Sequence, residues 1–270
     1  MMKVTVVIPS LSGVGSPYLR LAVESLRATT DWDIIVVTNG EKNPEPLNID
    51  GITTRLHTRD QGQCIATNIG AQLAGTSDYI FISNDDMYYA PGWNKNLRFD
   101  HPVFSPNLVE PINNPGSAEP FLKVDGGFLI EDFDQPHVDK FIKSMIGTDT
   151  KEEPGFNLPL FIRTDLWNML GGYDVKYDPW GSNSDTDLQT RINLAGVIPM
   201  RLRDVLVYHF SNKSGTFDGT HQDFYRNNIE YFKDKFGFDR DELGSDVWYN
   251  KDMIPTDKSK IKYKQEKYNG

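Results

Sequence analysis

Short apolar strands alternate with amphipathic helices through the first part of the chain. In order, the alternation comprises VTVVIP at 4–9, a helical pattern from Tyr18 to Ala28, DIIVVTN at 33–39, ITTRLH at 52–57, a helical pattern with Ile65, Ile69 and Leu73 on one face, and DYIFISN at 78–84. The first three segments predict a βαβ unit. The last strand is apolar almost throughout, which is typical of a strand covered on both faces. The pattern therefore predicts an α/β fold with a mostly parallel sheet.

The chain has 270 residues, and an α/β sheet of this length often forms one unit. We expect one domain over residues 1–254 and a lysine-rich tail over 255–270. The tail carries five lysines against two acidic residues and has no sustained apolar periodicity. A frayed, solvated tail is the expectation, and an arm that touches phosphate or a membrane is the alternative.

Composition narrows the class of protein. The formal net charge of −10 argues against a globally basic surface for nucleic acid. No apolar run approaches the ~20 residues that span a bilayer, and the N-terminal MMKVTVVIPS is predicted to be a strand rather than a signal peptide. The single cysteine, Cys64, allows no internal disulfide and fits a reducing compartment. We therefore expect a cytoplasmic protein.

Prolines interrupt the pattern in residues 105–157, where only a helix over 136–146 is predicted. We expect variable structure on the acceptor side there. Regular patterns then resume with NLPLFIRTDLWNMLGGYD at 157–174, a capped helix from about Ser184 to Ala195, the strand DVLVYHF at 204–210, and a last helix with Phe224, Tyr225, Ile229, Phe232 and Phe236 on its apolar face.

Polar residues end three of the predicted strands. Pro9-Ser10, Asn39 and Asn84-Asp85-Asp86 should converge on one crevice, because ligands of such sheets bind at the carboxyl ends of the strands. Two adjacent carboxylates after a buried strand either hold a cation or face solvent. Mg²⁺ or Mn²⁺ bound through diphosphate oxygens needs little more from a protein than one or two carboxylates.

Further candidates lie in the second half of the chain. Asp185 begins a predicted helix, where the backbone dipole favours its ionised form; it either acts as a general base or only caps the helix with Ser184. His209 ends a strand and either completes a metal site with Asp86 or simply packs there. Trp180, in a loop with proline and glycine neighbours, either stacks on a sugar or belongs to the core.

Taken in order, these segments resemble family 2 glycosyltransferases, which have the GT-A fold. The resemblance rests on VVIPS at 6–10, QCIATNIG at 63–70, Asn84-Asp85-Asp86, GGYDVKYDPWGSNSDTDLQTRINLAG at 171–196, and VYHF at 207–210. It implies a nucleotide-sugar half over residues 1–100 and a half over 101–254 that holds the acceptor and the catalytic base.

The resemblance also implies roles for single residues. Asp185 takes the position of the catalytic base of an inverting enzyme, and Asp86 with His209 that of the ligands of Mn²⁺ or Mg²⁺. The implied donor-binding residues are Pro9, Ser10, Asn39, Asn68, Asn84, Asp85 and Asp86. The implied acceptor-binding residues are Trp180 and Asp187. UDP is the default donor nucleotide, and the acceptor is unknown: a saccharide, lipid, protein or modified nucleic acid.

The sequence departs from the family pattern at four positions. Asn39 and Asn84 replace carboxylates, Thr67 replaces an arginine, and Ser184 replaces the glutamate before the base. Two other classes of protein remain open. One is a sugar-phosphate nucleotidyltransferase, although residues 10–18 contain no basic residue to hold a triphosphate. The other is a non-catalytic protein that binds nucleotide sugars or carbohydrate.

Overall fold

The structure, a computed structural model, describes residues 2–11, 16–39, 49–58, 62–114, 121–211, 213, 221–243 and 254–270. The strands in these ranges are β1 (Val4–Ser10), β2 (Asp33–Asn39), β3 (Thr54–Thr58), β4 (Tyr79–Ile82), β5 (Met87–Tyr88), β6 (Val103–Pro111), β7 (Leu122–Val124), β8 (Glu152–Pro154), β9 (Leu160–Arg163) and β10 (Met200–His209). The α-helices are α1 (Pro17–Thr29), α2 (Gln63–Leu73), α3 (Gln135–Met145), α4 (Thr164–Leu170), α5 (Ser184–Leu194) and α6 (Gln222–Phe236).

The described strands form one sheet in the order β3-β2-β1-β4-β9-β6-β10-β5, with β7 beside β6 and β8 beside β10. The four strands from β3 to β4 are parallel, β9 is antiparallel to both of its neighbours, and β6 and β10 are again parallel. The prediction of an α/β fold with a mostly parallel sheet is confirmed. Because β9 reverses direction, the carboxyl ends of β1, β2, β4, β6 and β10 all lie at the same edge.

Both faces of the sheet are buried, as the apolar strand β4 predicts. α1 packs on one face, where Phe81 of β4 and Phe161 of β9 stack with ring centroids 4.0 Å apart. α2, α4 and α5 cover the other face. α2 lies close to β1 because Gly70 has no side chain: a Cβ there would come within 2.4 Å of Val7 Cγ1.

Regular structure extends further into residues 105–157 than their prolines suggested. β6 is nine residues long and buried along its whole length, although it contains Pro106 and Pro111. A register shift in β10 between Leu202 and Leu206 lies where Leu202 pairs with Pro106. Proline cannot donate a hydrogen bond to the ladder, so the irregularity falls where that donor is missing. α3 lies where a helix was predicted.

The C-terminal segment also differs from expectation. Residues 254–270 lie along the body of the protein instead of fraying: Lys262 N donates to Phe236 O at the end of α6, and Tyr268 N donates to Ala195 O at the end of α5. Tyr263 packs on Phe236, with ring centroids 5.1 Å apart. Ile261 and Tyr263 are half-buried, while the lysines between and around them are exposed. This alternation has a period of two residues and therefore differs from the periodicity of a helix.

Within the described ranges, no helix has both the length and the apolar character needed to cross a membrane.

Candidate active site

Ser10 and Asp85 meet at the carboxyl edge of the sheet, as the parallel arrangement of β1 and β4 predicts. The Ser10 hydroxyl donates to Asp85 Oδ2 over 2.6 Å, and both residues are buried. Burial, together with the charge of the adjacent Asp86, raises the pKa of Asp85 to about 7, and the Ser10 hydrogen bond opposes that rise. Pro9 and Asn84, on either side of this pair, keep partly exposed surface.

Asp86 and His209 also lie together at this edge. Asp86 Oδ1 is 3.4 Å from His209 Nε2, and the other ring nitrogen, Nδ1, is 2.9 Å from Glu110 Oε1. Burial alone would lower the pKa of His209, but Asp86 and Glu110 raise it to about 10. Burial alone would raise the pKa of Asp86, but His209 lowers it below its ordinary value. The cluster therefore attracts positive charge.

Glu110 was not predicted as a site residue, because it lies in a strand whose pattern is interrupted by prolines. Glu110 is 4% exposed, and its second oxygen accepts a hydrogen bond from Asn114 Nδ2 over 3.3 Å. A histidine ligand usually has its other ring nitrogen held by a carboxylate or carbonyl, which orients the ring. Only the pairing of β6 with β10 brings Glu110 beside His209.

The donor set of this cluster fits a divalent cation. The separation of Asp86 Oδ1 and His209 Nε2 allows both atoms to contact one ion, and carboxylate oxygen with imidazole nitrogen suits Mn²⁺. No group of three or more histidine, cysteine, aspartate or glutamate side chains suited to a metal ion occurs among the described residues. Mg²⁺ sites in proteins commonly take several of their ligands from phosphate oxygens and water.

Lys213 brings a positive charge to the same place. Its backbone N–H donates to Asp86 Oδ2 over 3.2 Å, and its Nζ lies 3.2 Å from the centre of the Phe128 ring. Burial lowers its pKa, against the opposing effect of Asp86 and Asp132. An ammonium group carries three hydrogen-bond donors, so Lys213 brings donors for an anion to this edge of the sheet.

Asp185 lies in the first turn of α5 and is partly exposed. One of its oxygens, Oδ1, accepts a hydrogen bond from the buried Tyr173 hydroxyl over 2.7 Å. Burial raises the pKa of Asp185, and the Tyr173 hydrogen bond opposes that rise. Asp185 does not cap its helix: the N-cap is Asn183, in a left-handed conformation at φ 67°. Its carboxylate is therefore not committed to the backbone of α5.

α5 begins at the same edge of the sheet as the Asp86 cluster. α2 follows β3, which is parallel to β2, so the N-terminus of α2 lies at the carboxyl edge of the sheet. There, Asp178 accepts hydrogen bonds from Cys64 N and Ile65 N over 3.0 and 2.9 Å. A Cβ on Gly181 would lie 3.5 Å from Gln63 Cβ. The loop from Asp178 to Gly181 thus places Asp185 beside the crevice that the strand ends form.

Two residues that the family resemblance assigns to the donor make contacts within the protein. Asn39 is 2% exposed, and its Oδ1 accepts from Gly62 N over 3.1 Å. Asn68 exchanges two hydrogen bonds with the backbone of Tyr173. Both side chains hold loops next to α2, which the motif spacing alone did not indicate.

The two predicted acceptor residues lie in different environments. Trp180 is half-buried and stacks on His221, with ring centroids 3.6 Å apart and an interplanar angle of 13°. Asp187 is fully buried and pairs with Arg191 and Lys235 over 2.6 Å each. A residue without exposed surface cannot touch an acceptor in this conformation, so the position of Asp187 supports a role in packing α5 against α6.

The fold and the site define a protein of the GT-A glycosyltransferase fold. A crystal structure of GalNAc-T7 with UDP, GalNAc and Mn²⁺ matches it with a TM-score of 0.56 and 18% identity over 77% of this chain and 44% of that chain. A crystal structure of S. aureus TarS 1-349 matches with a TM-score of 0.52 and 14% identity over 79% of this chain and 62% of that chain. At these identities the likeness establishes the fold.

The first part of the sequence matches a family model. Residues 5–98 match the model of glycosyl transferase family 2, which confirms the predicted resemblance to that family. A search of curated protein sequences found no match. The chain spans about half the length of one structural neighbour and somewhat over half of the other. The GT-A fold and the family model matched by residues 5–98 both agree with the predicted glycosyltransferase.

Proposed function

We propose that the protein is a metal-dependent, inverting glycosyltransferase that moves a sugar from a nucleotide-sugar donor, UDP by default, to an acceptor hydroxyl. The observation that carries the proposal is the convergence of Asp86, His209 and Lys213 at the sheet edge beside which Asp185 lies. A cation site stabilises a diphosphate leaving group, and a carboxylate base serves an inverting attack by an acceptor hydroxyl. The Mn²⁺ and UDP bound by one structural neighbour support the choice of metal and nucleotide.

On the donor side, Asp86 and His209 would hold Mn²⁺ or Mg²⁺, and Glu110 would orient the His209 ring. The bound ion supplies charge neutralisation for the departing nucleoside diphosphate. Lys213 lies beside the same carboxylate and would donate to a phosphate oxygen. Pro9 and Asn84 have the exposed surface needed to contact the nucleoside.

On the acceptor side, Asp185 in its ionised form would accept the proton of the attacking hydroxyl. The acceptor oxygen forms a bond to the anomeric carbon as the bond from that carbon to the phosphate oxygen breaks, and the diphosphate leaves with the electron pair. The proton ends on Asp185. Attack from the face opposite the leaving group inverts the anomeric configuration. The Tyr173 hydrogen bond keeps the base ionised over a wider pH range than burial alone would allow.

The acceptor stays unidentified. Trp180 lies five residues before Asp185. Its stack with His221 gives the loop a flat aromatic surface, which suits a sugar ring. Saccharide, lipid, protein and modified nucleic acid all remain possible acceptors. A cytoplasmic location stays a prediction of the sequence, based on its single cysteine.

The first experiment is a thermal-shift panel of UDP, GDP, CDP and dTDP, each with Mn²⁺ and with EDTA. A ligand that binds only the folded protein raises its midpoint. We expect a metal-dependent rise with one nucleotide, and then slow hydrolysis of the matching nucleotide sugars with water as acceptor.

Asp185→Asn is the companion variant. It should keep the nucleotide-dependent shift and lose hydrolysis by about a hundredfold or more, the size of a general-base contribution. A shift without hydrolysis in the native protein would favour the non-catalytic alternative. Hydrolysis at the native rate in Asp185→Asn would remove Asp185 as the base.

A further inference from the structure

The side-chain amide of Asn68 is matched to the backbone of one residue. Asn68 Nδ2 donates to Tyr173 O over 2.8 Å, and Tyr173 N donates to Asn68 Oδ1 over 2.9 Å. The amide nitrogen and the amide oxygen of the side chain are both used, in a two-point contact that resembles a pair of β-strand hydrogen bonds. Asn68 lies on α2, within the family 2 segment, and Tyr173 lies in the second half of the chain.

The fit around this contact is close. Gly172 has φ +71°, and a Cβ there would come within 2.5 Å of Asn68 Oδ1. A side chain at residue 172 would therefore displace the amide. The turn Gly171-Gly172 that ends α4 thus brings the Tyr173 backbone directly onto α2.

Tyr173 carries this contact to Asp185. Its ring is 2% exposed and packs on Trp167 with centroids 5.6 Å apart. With its backbone held by Asn68 and its ring held by Trp167, the hydroxyl has little freedom as it donates to Asp185 Oδ1. Burial and the nearby Asp185 charge raise the pKa of Tyr173 well above its ordinary value, so the hydroxyl stays a donor.

We propose that Asn68 is a positioning residue for the catalytic base, acting through the backbone and hydroxyl of Tyr173, and not a ligand of the donor. The inference rests on the proposed function only in naming Asp185 the base. It explains why a residue in the nucleotide half has its whole amide directed at the other half of the protein. It also predicts that the two halves are coupled: a change on α2 alters the base.

Among the described residues, titratable groups near Asp185 or its partner Tyr173 come from three elements. Tyr173 belongs to the loop after α4, the Cys64 thiol belongs to α2 and has its pKa raised partly by Asp185, and Arg191 belongs to α5. Arg191 is paired with Asp187, which also pairs with Lys235. The Tyr173 hydroxyl is the group that hydrogen-bonds to Asp185 and favours its ionised form.

The test follows the carboxyl carbon of Asp185 by NMR as a function of pH, in protein labelled with ¹³C-aspartate and assigned with Asp185→Asn. Asn68→Ala, Tyr173→Phe and the double variant form a cycle. We expect the Asp185 titration to move to higher pH in each single variant and no further in the double variant. This measurement needs neither donor nor acceptor.

Asn157→Ala is the matched control. Asn157 is another buried asparagine with its amide bonded to backbone carbonyls, those of Pro106 and Leu158, but it lies by β6 and Arg201. It should lose stability comparably and leave the Asp185 titration unchanged. If Asn68→Ala does not fold, Tyr173→Phe reports the hydroxyl contact without a backbone change, and Gly172→Ala displaces the amide of Asn68 in its place.

Two results would overturn the inference. An unchanged Asp185 titration in Asn68→Ala, whether or not Tyr173→Phe moves it, would show that Asn68 does not act through Tyr173. In hydrolysis of the UDP-sugar that the native protein cleaves, a raised KM with unchanged kcat would return Asn68 to the donor. We expect about a tenfold loss of kcat with KM unchanged. If Asp185→Asn keeps full activity while the titration moves as expected, the positioning contact stands and the proposed function fails.

Discussion

Glu110 Oε1 lies 2.9 Å from His209 Nδ1, so that the opposite ring nitrogen faces Asp86. This relationship joins β6 and β10 at their carboxyl ends. It defines the cluster of Asp86, His209 and Glu110 more sharply than Asp86 or His209 does alone, because it sets the orientation of the imidazole ring.

Replacement of Glu110 by glutamine should weaken Mn²⁺ binding by about tenfold, the lower end for loss of a residue that orients a metal ligand. Glutamine keeps the shape and the bond to Asn114, so the fold should survive. Mn²⁺ titration by electron paramagnetic resonance, with UDP present, measures the affinity. Glu153→Gln removes the same charge at the other end of β10 and should leave the Mn²⁺ affinity unchanged. Equal Mn²⁺ affinity in all three proteins would contradict an orienting role.

Replacement of Lys213 by alanine should raise the Kd for UDP by roughly tenfold, because a charge-assisted hydrogen bond to phosphate is lost. Arginine at the same position should restore most of the affinity. It should also keep more of the native dependence of Kd on salt concentration than alanine does. Calorimetry with UDP and Mn²⁺ at two ionic strengths measures both. Lys176→Ala is the control, since Lys176 also lies over an aromatic ring, but that ring is Tyr231 of α6 and not Phe128. A native Kd in Lys213→Ala would remove the residue from the donor site.

Asp174 should stabilise the protein in a pH-dependent way. Burial alone would raise its pKa, but Lys235, Tyr231 and the backbone of Lys176 lower it to about 2. A carboxyl group with a lowered folded-state pKa contributes stability above its unfolded pKa of about 4, and that contribution is lost as the pH falls toward 2. Asp174→Asn should therefore cost about 2 kcal/mol at pH 7 and progressively less from pH 5 to pH 3.

Urea unfolding of both proteins at several pH values measures the difference. Asp223→Asn, which removes an exposed carboxylate from the first turn of α6, should cost little at any pH. A cost of Asp174→Asn that is the same at pH 7 and pH 3 would mean that its ion pair with Lys235 does not contribute.

The C-terminal segment should contribute measurably to thermal stability. Tyr263 packs on Phe236 at the end of α6, so Tyr263→Ala should cost about 2 kcal/mol and lower Tm by roughly 4–8 °C. Lys264→Ala, at the next and exposed position, should leave Tm unchanged. Differential scanning calorimetry of the three proteins decides the matter: equal Tm values would restore the frayed tail that the sequence suggested.

Much of the fold was present in local patterns. The apolar strand before Asn84 predicts β4, because burial on both faces of a sheet imposes an apolar run. The spacing of Ile65, Ile69 and Leu73 predicts a helix where α2 lies, but the buried face of α2 is formed by smaller residues, and Leu73 is 52% exposed. Asp85, Asp86, Asp185 and His209 could be singled out for the same reason: each stands where a regular element begins or ends, and such positions are readable along the chain.

Contacts between distant segments could not be predicted from the sequence. Proline obscured β6, so Glu110 could not be placed beside His209 until the pairing of β6 with β10 was known. Asn68 matched a donor motif by spacing, but the tertiary fold directs its amide to Tyr173, because packing of α2 against the turn after α4 depends on atoms more than a hundred residues apart. Local sequence determined which elements exist and which polar residues end them, and only tertiary packing decided which of those residues meet at the candidate site and which hold the protein together.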